Sequence, residues 1–451
     1  DVFLSKTKNS LVFLLALIMS VHREMTERLA KFRMIARKAK ENPEMKFTSL
    51  AHYLSEEYLR DSYRNLNKTA ASGIDEVDYY QYELEQITAI ESLHHRLKTG
   101  SYQAPNNRRV WIDKGEGKKR ALGISTTEDK IVQKSVTGIL NLIYEQDFYP
   151  NSYGFRPNRS AHQALSQLRK ECMRWGTNWI IDADIQGCFD NFDHTRMLEF
   201  LRKRITDRSL LRLIQNWLEA GIVDGKEVFS SERGTPQGNI LSPLLCNIYL
   251  HYVLDQWIEE TVKPLLKGRC FLIRYADDFV IGFSNQSDAE RVMKTIPKRL
   301  MKYGLNIHPE KSRLLNFYPR SGNDKPPTFD FLGFTHYWTK SQKGRNVVKR
   351  RTREKSQHKA LQNMHETCRD HRHEKVKQQY RRLKSKLQGI YNYFGIRGNY
   401  INIYTVYRHA LVSWYKWLNR RSQRQSLTWQ GYKDLLKQFP LPTPKVVHVN
   451  V

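Results

Sequence analysis

The sequence predicts an α+β fold, and three observations lead there. First, β-prone runs come in close pairs. Val110–Ile112 and Ala121–Ile124 flank a glycine-punctuated turn, and the apolar runs Phe271–Arg274 and Phe279–Phe283 flank a break at Tyr275–Asp278. Pairs of this kind read as hairpins. Second, longer stretches repeat apolar residues at helical spacing, as at Leu50, Tyr53, Leu54, Tyr58 and Leu59. Third, the composition shifts near Thr339 into a heavily basic stretch that then takes up helical periodicity. The 451 residues suffice for two or three domains with real cores.

The break Tyr275-Ala276-Asp277-Asp278 is the most informative stretch. Both flanking runs are apolar enough to be buried, so the turn projects from a core. Two carboxylates about 4 Å apart repel by about 4 kcal/mol at an effective dielectric of about 20. A divalent cation offsets such repulsion, because Mg2+ is commonly held by one or two carboxylates together with substrate phosphates. From these residues alone, a solvated acidic turn fits as well.

Lys and Arg number 75 against 46 Asp and Glu, a net charge of +29. Such an excess points to a polyanionic partner, nucleic acid first and a membrane surface second. Aromatic residues make up 12%, including 24 Tyr and 9 Trp, which suits a folded chain that can also stack on bases. The five cysteines are scattered and form no CxxC pair, which argues against a disulfide framework and fits a reducing cytosol. The apolar run Leu11–Met19 is too short to span a bilayer, and no small-residue cleavage site follows it. It reads as part of a buried helix or as upstream sequence.

Met25–Lys40 is a basic helical stretch, and Phe47–Asn65 is a second helix. A third runs from Tyr79 to Lys98 and ends before Gly100. The turn of the first hairpin, Asp113–Arg120, crowds Lys114, Lys118, Lys119 and Arg120 around two glycines. It is either a solvated charged turn or a phosphate clamp, with lysine as point charge and arginine as bidentate fork. Ser125 and Glu128 look like a capping box that opens an amphipathic helix. In the loop Tyr153–Ser160, Arg156 and Arg159 either touch a nucleic-acid backbone or tie the loop down, and Ser160 can cap the next helix.

Trp179–Ile185 reads as a core strand with Asp182 and Asp184 on one face. Acids at a strand's end beside Gly187 are poor core residues and plausible metal ligands. Asp190 and Asp193 read instead as an acidic strand-to-helix turn capped by Asp193. Gly234–Pro243 is a loop of small residues that permits close approach of a ligand, and it enters a helix over Leu244–Trp257. Asp288–Tyr303 is a helix, Gly304–Ile307 a turn and short strand ahead of Lys311, and Phe329–Phe334 another apolar strand.

From Lys340 to Lys386 the chain is heavily basic and includes Lys349-Arg350-Arg351. Helical spacing at Leu383, Leu387, Ile390 and Phe394 recurs at Val406, Ala410, Trp414, Trp417 and Leu418, marking a separate basic helical domain. His365, Cys368, His371 and His373 match no common zinc spacing and read as an RNA-facing or solvated helix.

The order of these pieces resembles the reverse transcriptases, and most closely the group II intron-encoded reverse transcriptase/maturase family of bacterial type. The likeness rests on Ser72–Asp75, Arg120–Ile124, Ser152–Pro157, Asp184–His194, Gly234–Pro243, the YADD turn, the segment Gly304–Ser312 and Phe331–Phe334. It runs from about residue 45 to about residue 445. It implies a right-hand polymerase with fingers, a palm built on an antiparallel sheet, and an α-helical thumb called domain X. The implied partition is an N-terminal helical extension over 1–72, fingers over 73–177, palm over 178–339 and thumb over 340–451.

The resemblance further implies Asp184, Asp277 and Asp278 as catalytic carboxylates. They would hold two Mg2+ ions, with Mn2+ as a substitute and the backbone of Ile185 as an additional ligand. Lys114 and Arg120 would grip the incoming triphosphate. Phe189 would lie under its sugar, Gln237 beside nucleotide and template, and Lys311 near the primer end or nucleotide. Arg156, Arg159, Lys349, Arg350 and Arg351 are expected at RNA. The expected partners are intron RNA, an RNA template with DNA primer, dNTPs and target DNA, with a homodimer among the assemblies and no membrane. The expected location is the bacterial cytoplasm, and the nucleoid when on target DNA. Gln186, Ala121 and Asn239 stand where many relatives have Lys, Pro and Gly. No His/Cys-rich endonuclease pattern is present in the sequence, so cleavage of a second target strand is not expected. The rival readings are a purely RNA-binding maturase and a CRISPR-associated, diversity-generating or repair reverse transcriptase. The intact carboxylates argue against the first.

Overall fold

The computed structural model describes residues 25–115, 117–174, 177–229, 232–318, 327–422 and 427–449. The run Leu11–Met19 lies outside the described residues. Helix α1 covers 25–41. The helix expected over Phe47–Asn65 is a 3-10 turn, Ala51–Tyr53, and then α2, Glu56–Arg64. Ser55 divides them by capping α2, its side chain accepting from the Tyr58 amide. The next expected helix is also divided, into α3 (Tyr79–Leu84) and α4 (Gln86–Thr99). Asp78 and Gln81 form a capping box on α3, and Gly100 closes α4 in the left-handed conformation.

Strands β1 (Asn107–Gly115) and β2 (Lys118–Ile124) form the expected antiparallel hairpin, and α5 (Thr127–Asp147) follows. The cap of α5 is Thr126, which accepts from the Asp129 amide, and not Ser125. The Ser125 hydroxyl is engaged elsewhere, with the side-chain oxygens of Asn107 and Asn239. Then come α6 (Ala161–Arg174), β3 (Trp179–Gln186), α7 (Cys188–Asn191), α8 (His194–Arg202), α9 (Arg208–Glu219), β4 (Ile222–Asp224), β5 (Glu227–Phe229) and α10 (Ser242–Leu250). Beyond α10 the backbone continues as π-type turns over His251–Asp255 and Trp257–Val262, a looser winding than the α-helix expected there.

The second hairpin is β6 (Cys270–Tyr275) and β7 (Asp278–Phe283), followed by α11 (Gln286–Met301), β8 (Asn306–Ile307) and β9 (Arg313–Asn316). The strand expected at Phe329–Phe334 is a hairpin corner. Strand β10 (Thr328–Phe331) turns at Leu332 and Gly333, with φ of 48° and 76°, into β11 (Phe334–Lys340). Two successive positive φ values are what a two-residue hairpin turn requires. Strand β12 (Asn346–Thr352) completes a three-stranded sheet. Helices α12 (Glu354–Asp370), α13 (Val376–Phe394), α14 (Tyr400–Leu418) and α15 (Trp429–Gln438) come last, so the basic triplet Lys349–Arg351 sits in a strand and not in a helix.

The chain forms two compact units. The first takes Asp1–Pro150, Ile185–Ile258 and Pro297–Asn306. Its spine is α5, whose Ile131, Val132, Val136, Ile139, Leu140 and Ile143 are fully buried. Burying each such side chain contributes about 1.5–3 kcal/mol. Asp129 is buried beside this row. It accepts from Tyr102 Oη at 2.7 Å, Trp217 Nε1 at 2.6 Å and Gln133 Nε2 at 2.8 Å. Three donors satisfy a carboxylate that would otherwise be costly there. The first unit also carries a four-stranded sheet in the order β2-β1-β4-β5.

The second unit takes Asn151–Asp184, Glu259–Ile296 and Ile307–Val451. Its larger sheet has the order β6-β7-β3-β8, with β9 also on β3. Leu165, Leu168, Cys172, Ile180, Ile273 and Val280 share one core with Phe329, Phe334 and Trp338 of the smaller sheet. A second core, entirely helical, gathers Leu383, Leu387, Tyr391, Ile403, Val406, Ala410 and Trp414. Leu383, Leu387, Val406, Ala410 and Trp414 are among the residues whose spacing marked α13 and α14, and Tyr391 and Ile403 join them. Trp414 is fully buried, and its ring nitrogen donates to Gln379 Oε1 at 2.9 Å.

Candidate active site

Strands β6 and β7 pair antiparallel, with Tyr275 opposite Asp278, so Ala276 and Asp277 form the turn. Ala276 has a φ of 56°, an uncommon conformation for a residue with a Cβ. Two neighbours hold it there. Arg274 is fully buried, and its Nη1 donates to the Ala276 carbonyl at 3.0 Å. Gly154 lies against the turn so closely that a Cβ on it would stand 2.3 Å from the Ala276 nitrogen. The loop carrying Gly154 is itself fastened to β6. The Tyr153 amide donates to the Arg274 carbonyl and the Arg274 amide to the Asn151 carbonyl, both at 2.9 Å.

Asp184, on β3, is paired directly with Asp278 on β7, and Asp182 with Val280. Asp182 and Asp184 share a face of β3, as period-two spacing requires. Lys311 Nζ reaches Asp184 Oδ2 at 2.7 Å, and Arg313 Nε stands 3.5 Å from Asp182 Oδ2. Beside them Arg353 Nε lies 3.1 Å from Asp330 Oδ2. These groups and Glu310 line an open cavity of about 360 Å3. Crowding by protein, and then the carboxylates of Asp277, Asp184 and Asp182, push Asp278 up to about 7, with Lys311 opposing. Its side chain keeps a solvent-open edge. The like-charge repulsion is therefore the part that a bound cation would relieve. Burial pushes Asp182 up to about 6 against the pull of Arg313.

Among the described residues, no three His, Cys, Asp or Glu side chains are gathered tightly enough to hold an ion as they lie. Lys311 supplies the positive charge at Asp184 instead. The donor set nonetheless fits a hard divalent cation, which takes carboxylate oxygens. Asp184 and Asp278 face each other in register, Asp277 adjoins them, and Ile185 follows Asp184 in the strand.

The remaining expected residues lie in the first unit. Gln237 Nε2 donates to both carboxylate oxygens of Asp190, at 3.1 and 2.9 Å. The Thr235 amide donates to the Phe189 carbonyl at 2.6 Å, and the Gly123 amide to the Gln237 carbonyl at 2.8 Å. Gly238, with a φ of 122°, lies against Gly123, where a Cβ would meet the Gly123 carbonyl at 2.6 Å. The loop Gly234–Pro243 thus fastens the turn carrying Phe189 to the strand carrying Arg120. Arg120 is exposed, Phe189 is half-buried, and Phe192 is the fully buried core aromatic. Lys114 belongs to β1, and its side chain lies outside the described residues. Asp193 caps α8 as expected, accepting from the Arg196 amide.

Of the five basic residues expected at RNA, Arg159, Lys349 and Arg351 are exposed. Arg156 and Arg350 are corrections. Arg156 is buried and donates to the Ser152 carbonyl at 2.8 Å, tying the loop down. Arg350 is buried and donates to the Leu165 carbonyl at 3.2 Å, because its place in β12 faces the core. Sequence reasoning missed Arg274, Asp330 and Arg353. A lone arginine inside the apolar run Phe271–Tyr275 was the available signal for Arg274, since an arginine is rarely buried without a task. Asp330 is brought in by β10 and Arg353 by the N-cap of α12, and neither carried a local signal.

Residues 112–336 match the family described as reverse transcriptase (RNA-dependent DNA polymerase). The chain belongs to the reverse transcriptase family. It is 39% identical over 243 residues to the group II intron-encoded protein LtrA of Lactococcus lactis subsp. cremoris, a match covering 52% of this chain and 39% of that protein. It is 32% identical over 238 residues to protein YkfC of Escherichia coli K12, covering 46% of this chain and 62% of the relative. A 91 kDa protein in the cob intron of Schizosaccharomyces pombe is 28% identical over 284 residues, 51% of this chain and 35% of the relative. The chain thus spans less than two thirds of the length of these relatives. The matched residues contain Asp182, Asp184, Asp277, Asp278, Glu310 and Asp330 but not Arg353. Among the described residues, no helix is long and apolar enough to cross a membrane.

Proposed function

We propose that this protein is an RNA-directed DNA polymerase that binds a group II intron RNA, assists its splicing and copies it into DNA. The observation that carries the reading is Asp184 opposite Asp278 in register, with Asp277 on a turn held by a buried arginine and a glycine. A protein that only bound RNA would have no use for carboxylates that repel one another and the RNA. Similarity to intron-encoded proteins supports the intron as the RNA.

In this reading Asp184, Asp277, Asp278 and the Ile185 carbonyl hold two Mg2+ ions, which would acidify the primer 3′-hydroxyl and stabilise the leaving pyrophosphate. The chain's own residues do the positioning. Lys114 and Arg120 bind the triphosphate, the Phe189 ring packs on the sugar, and Gln237, fixed through Asp190, aligns the nucleotide. Lys311 leaves Asp184 and neutralises phosphate charge. The four-part partition into extension, fingers, palm and thumb belongs to the same reading. Arg159, Lys349, Arg351 and the basic helices α12–α14 supply RNA contacts.

The test is primed DNA synthesis on an RNA template. Asp277→Asn should lower the rate by about 10³-fold or more, because a charged ligand is lost where charge develops. Unchanged extension by that variant removes the reading.

A further inference from the structure

A second cavity, of about 500 Å3, opens in the first unit between the turn at Ala51–Tyr53, the C-terminal half of α4 and the stretch of α9 from Arg208 to Asn216. It touches none of the residues assigned above. Its lining is one-sided in charge. The cations Lys98, Arg208 and Arg212 face it beside the imidazoles of His52 and His94, and among the described residues no acidic side chain lines it. Lys98 and Arg208 are exposed and have no ion-pair partner among the described residues. Arg212 is fixed by donating to the Gly100 carbonyl at 2.9 Å.

The carboxylates nearest in sequence are already engaged. Glu56 bonds to His94 Nδ1 at 3.2 Å, and the buried Asp207 accepts from the amides of Leu50, Ala51 and Leu210. The floor is different in kind. Leu54, Leu97 and Leu213 make it apolar, and Asn216 adds an amide that can donate and accept. Cations at the rim and a leucine floor with one amide match a molecule with a phosphate at one end and a flat, largely apolar ring at the other.

We propose that this cavity binds a single phosphate-bearing nucleotide, and that its usual source is an unpaired nucleotide of a bound RNA strand. Lys98, Arg208 and Arg212 take the phosphate. The leucines take the base face, and Asn216 its edge. Single-stranded RNA suits such a pocket because its bases can be splayed out of the stack. The proposal does not depend on the polymerase reading, and the two fail separately.

The test uses the full chain with a short unstructured RNA and, separately, AMP. Lys98→Glu combined with Arg208→Glu removes two phosphate contacts. RNA affinity should fall about tenfold or more, and the slope of log affinity against log salt should become shallower by about 1.4. Ser209 also lines the cavity, so Ser209→Trp narrows it without changing charge and should also weaken RNA binding. Primer extension on a short primer–template should stay at the wild-type rate in both variants. AMP binding with the same sensitivity to the variants would make a free nucleotide the occupant, and RNA binding alone would make it a strand; both support the pocket. Unchanged RNA affinity in the charge variant overturns the proposal. So does weakening by charge reversal alone with Ser209→Trp at wild-type affinity, since that marks diffuse attraction without a pocket.

Discussion

Gly154 lies under Ala276, with room between them for a hydrogen but not for a methyl group. A loop far back in the chain therefore sets the height of the turn that carries Asp277. Gly154→Ala should force that turn away, since a Cβ would stand 2.3 Å from the Ala276 nitrogen and 2.9 Å from the Tyr275 carbonyl carbon. Primer extension should fall by about 10²-fold, the scale on which a misplacement of about 1 Å acts. Retained activity with an unchanged melting temperature would show that the turn is not held from this side.

Phe189 is half-buried, while its neighbour Phe192 is the one committed to the core. Phe189→Ala should leave the fold intact and admit ribonucleotides, because an aromatic ring can reject a 2′-hydroxyl only by shape. Extension on one RNA template with deoxynucleotides or ribonucleotides, wild type against variant, reads this directly. Equal discrimination by both proteins would place the sugar gate elsewhere.

A proton and a divalent cation compete for Asp278, whose carboxyl is pushed up to about 7. At subsaturating Mg2+, activity should rise with pH through about 7, and the midpoint should move to lower pH as Mg2+ is raised. The sign for stability is opposite. A raised carboxyl binds its proton more tightly in the folded chain than in the unfolded one, so its contribution to stability falls as pH rises towards about 7. Asp278→Asn should flatten that trend in metal-free buffer. A pH–activity midpoint indifferent to Mg2+ would sink this account.

Trp414→Ala should destabilise the helical core of α12–α15 by about 3–5 kcal/mol, through lost packing and a Gln379 Oε1 left without its donor. Denaturant unfolding followed by far-ultraviolet circular dichroism measures it. A cost below about 1 kcal/mol would mean that this core rearranges around the gap.

Much of this was legible in the sequence where the signal is local. The YADD hairpin announces itself because two apolar runs bracket two acids, and Asp184 because an acid alternates along a core strand. The corner at Leu332-Gly333 was hidden because Phe329–Phe334 is continuously apolar and reads as one strand. Ser125 and Thr126 are adjacent hydroxyls, and only the backbone shows which caps α5. Arg350 and Arg351 read alike in a basic run, yet period-two alternation in β12 buries one and exposes the other. The ring of charges around Asp184 was beyond reach. Asp330 reaches it on β10 and Arg353 at the start of α12, both far along the chain, and nothing local specifies that meeting.

The chain passes between its two units five times, once within β3 between Asp184 and Ile185. A ribosome delivers residues in order, so the first unit cannot be completed until Pro297–Asn306 has emerged, and the larger sheet of the second waits for β9. The helices from Glu354 onward are contiguous and can close their core without waiting. The part of the protein that carries the carboxylates is thus exposed half-made for most of its synthesis. Its yield in a cell should depend more on chaperones and on the speed of translation through residues 259–316 than on the stability of the finished fold.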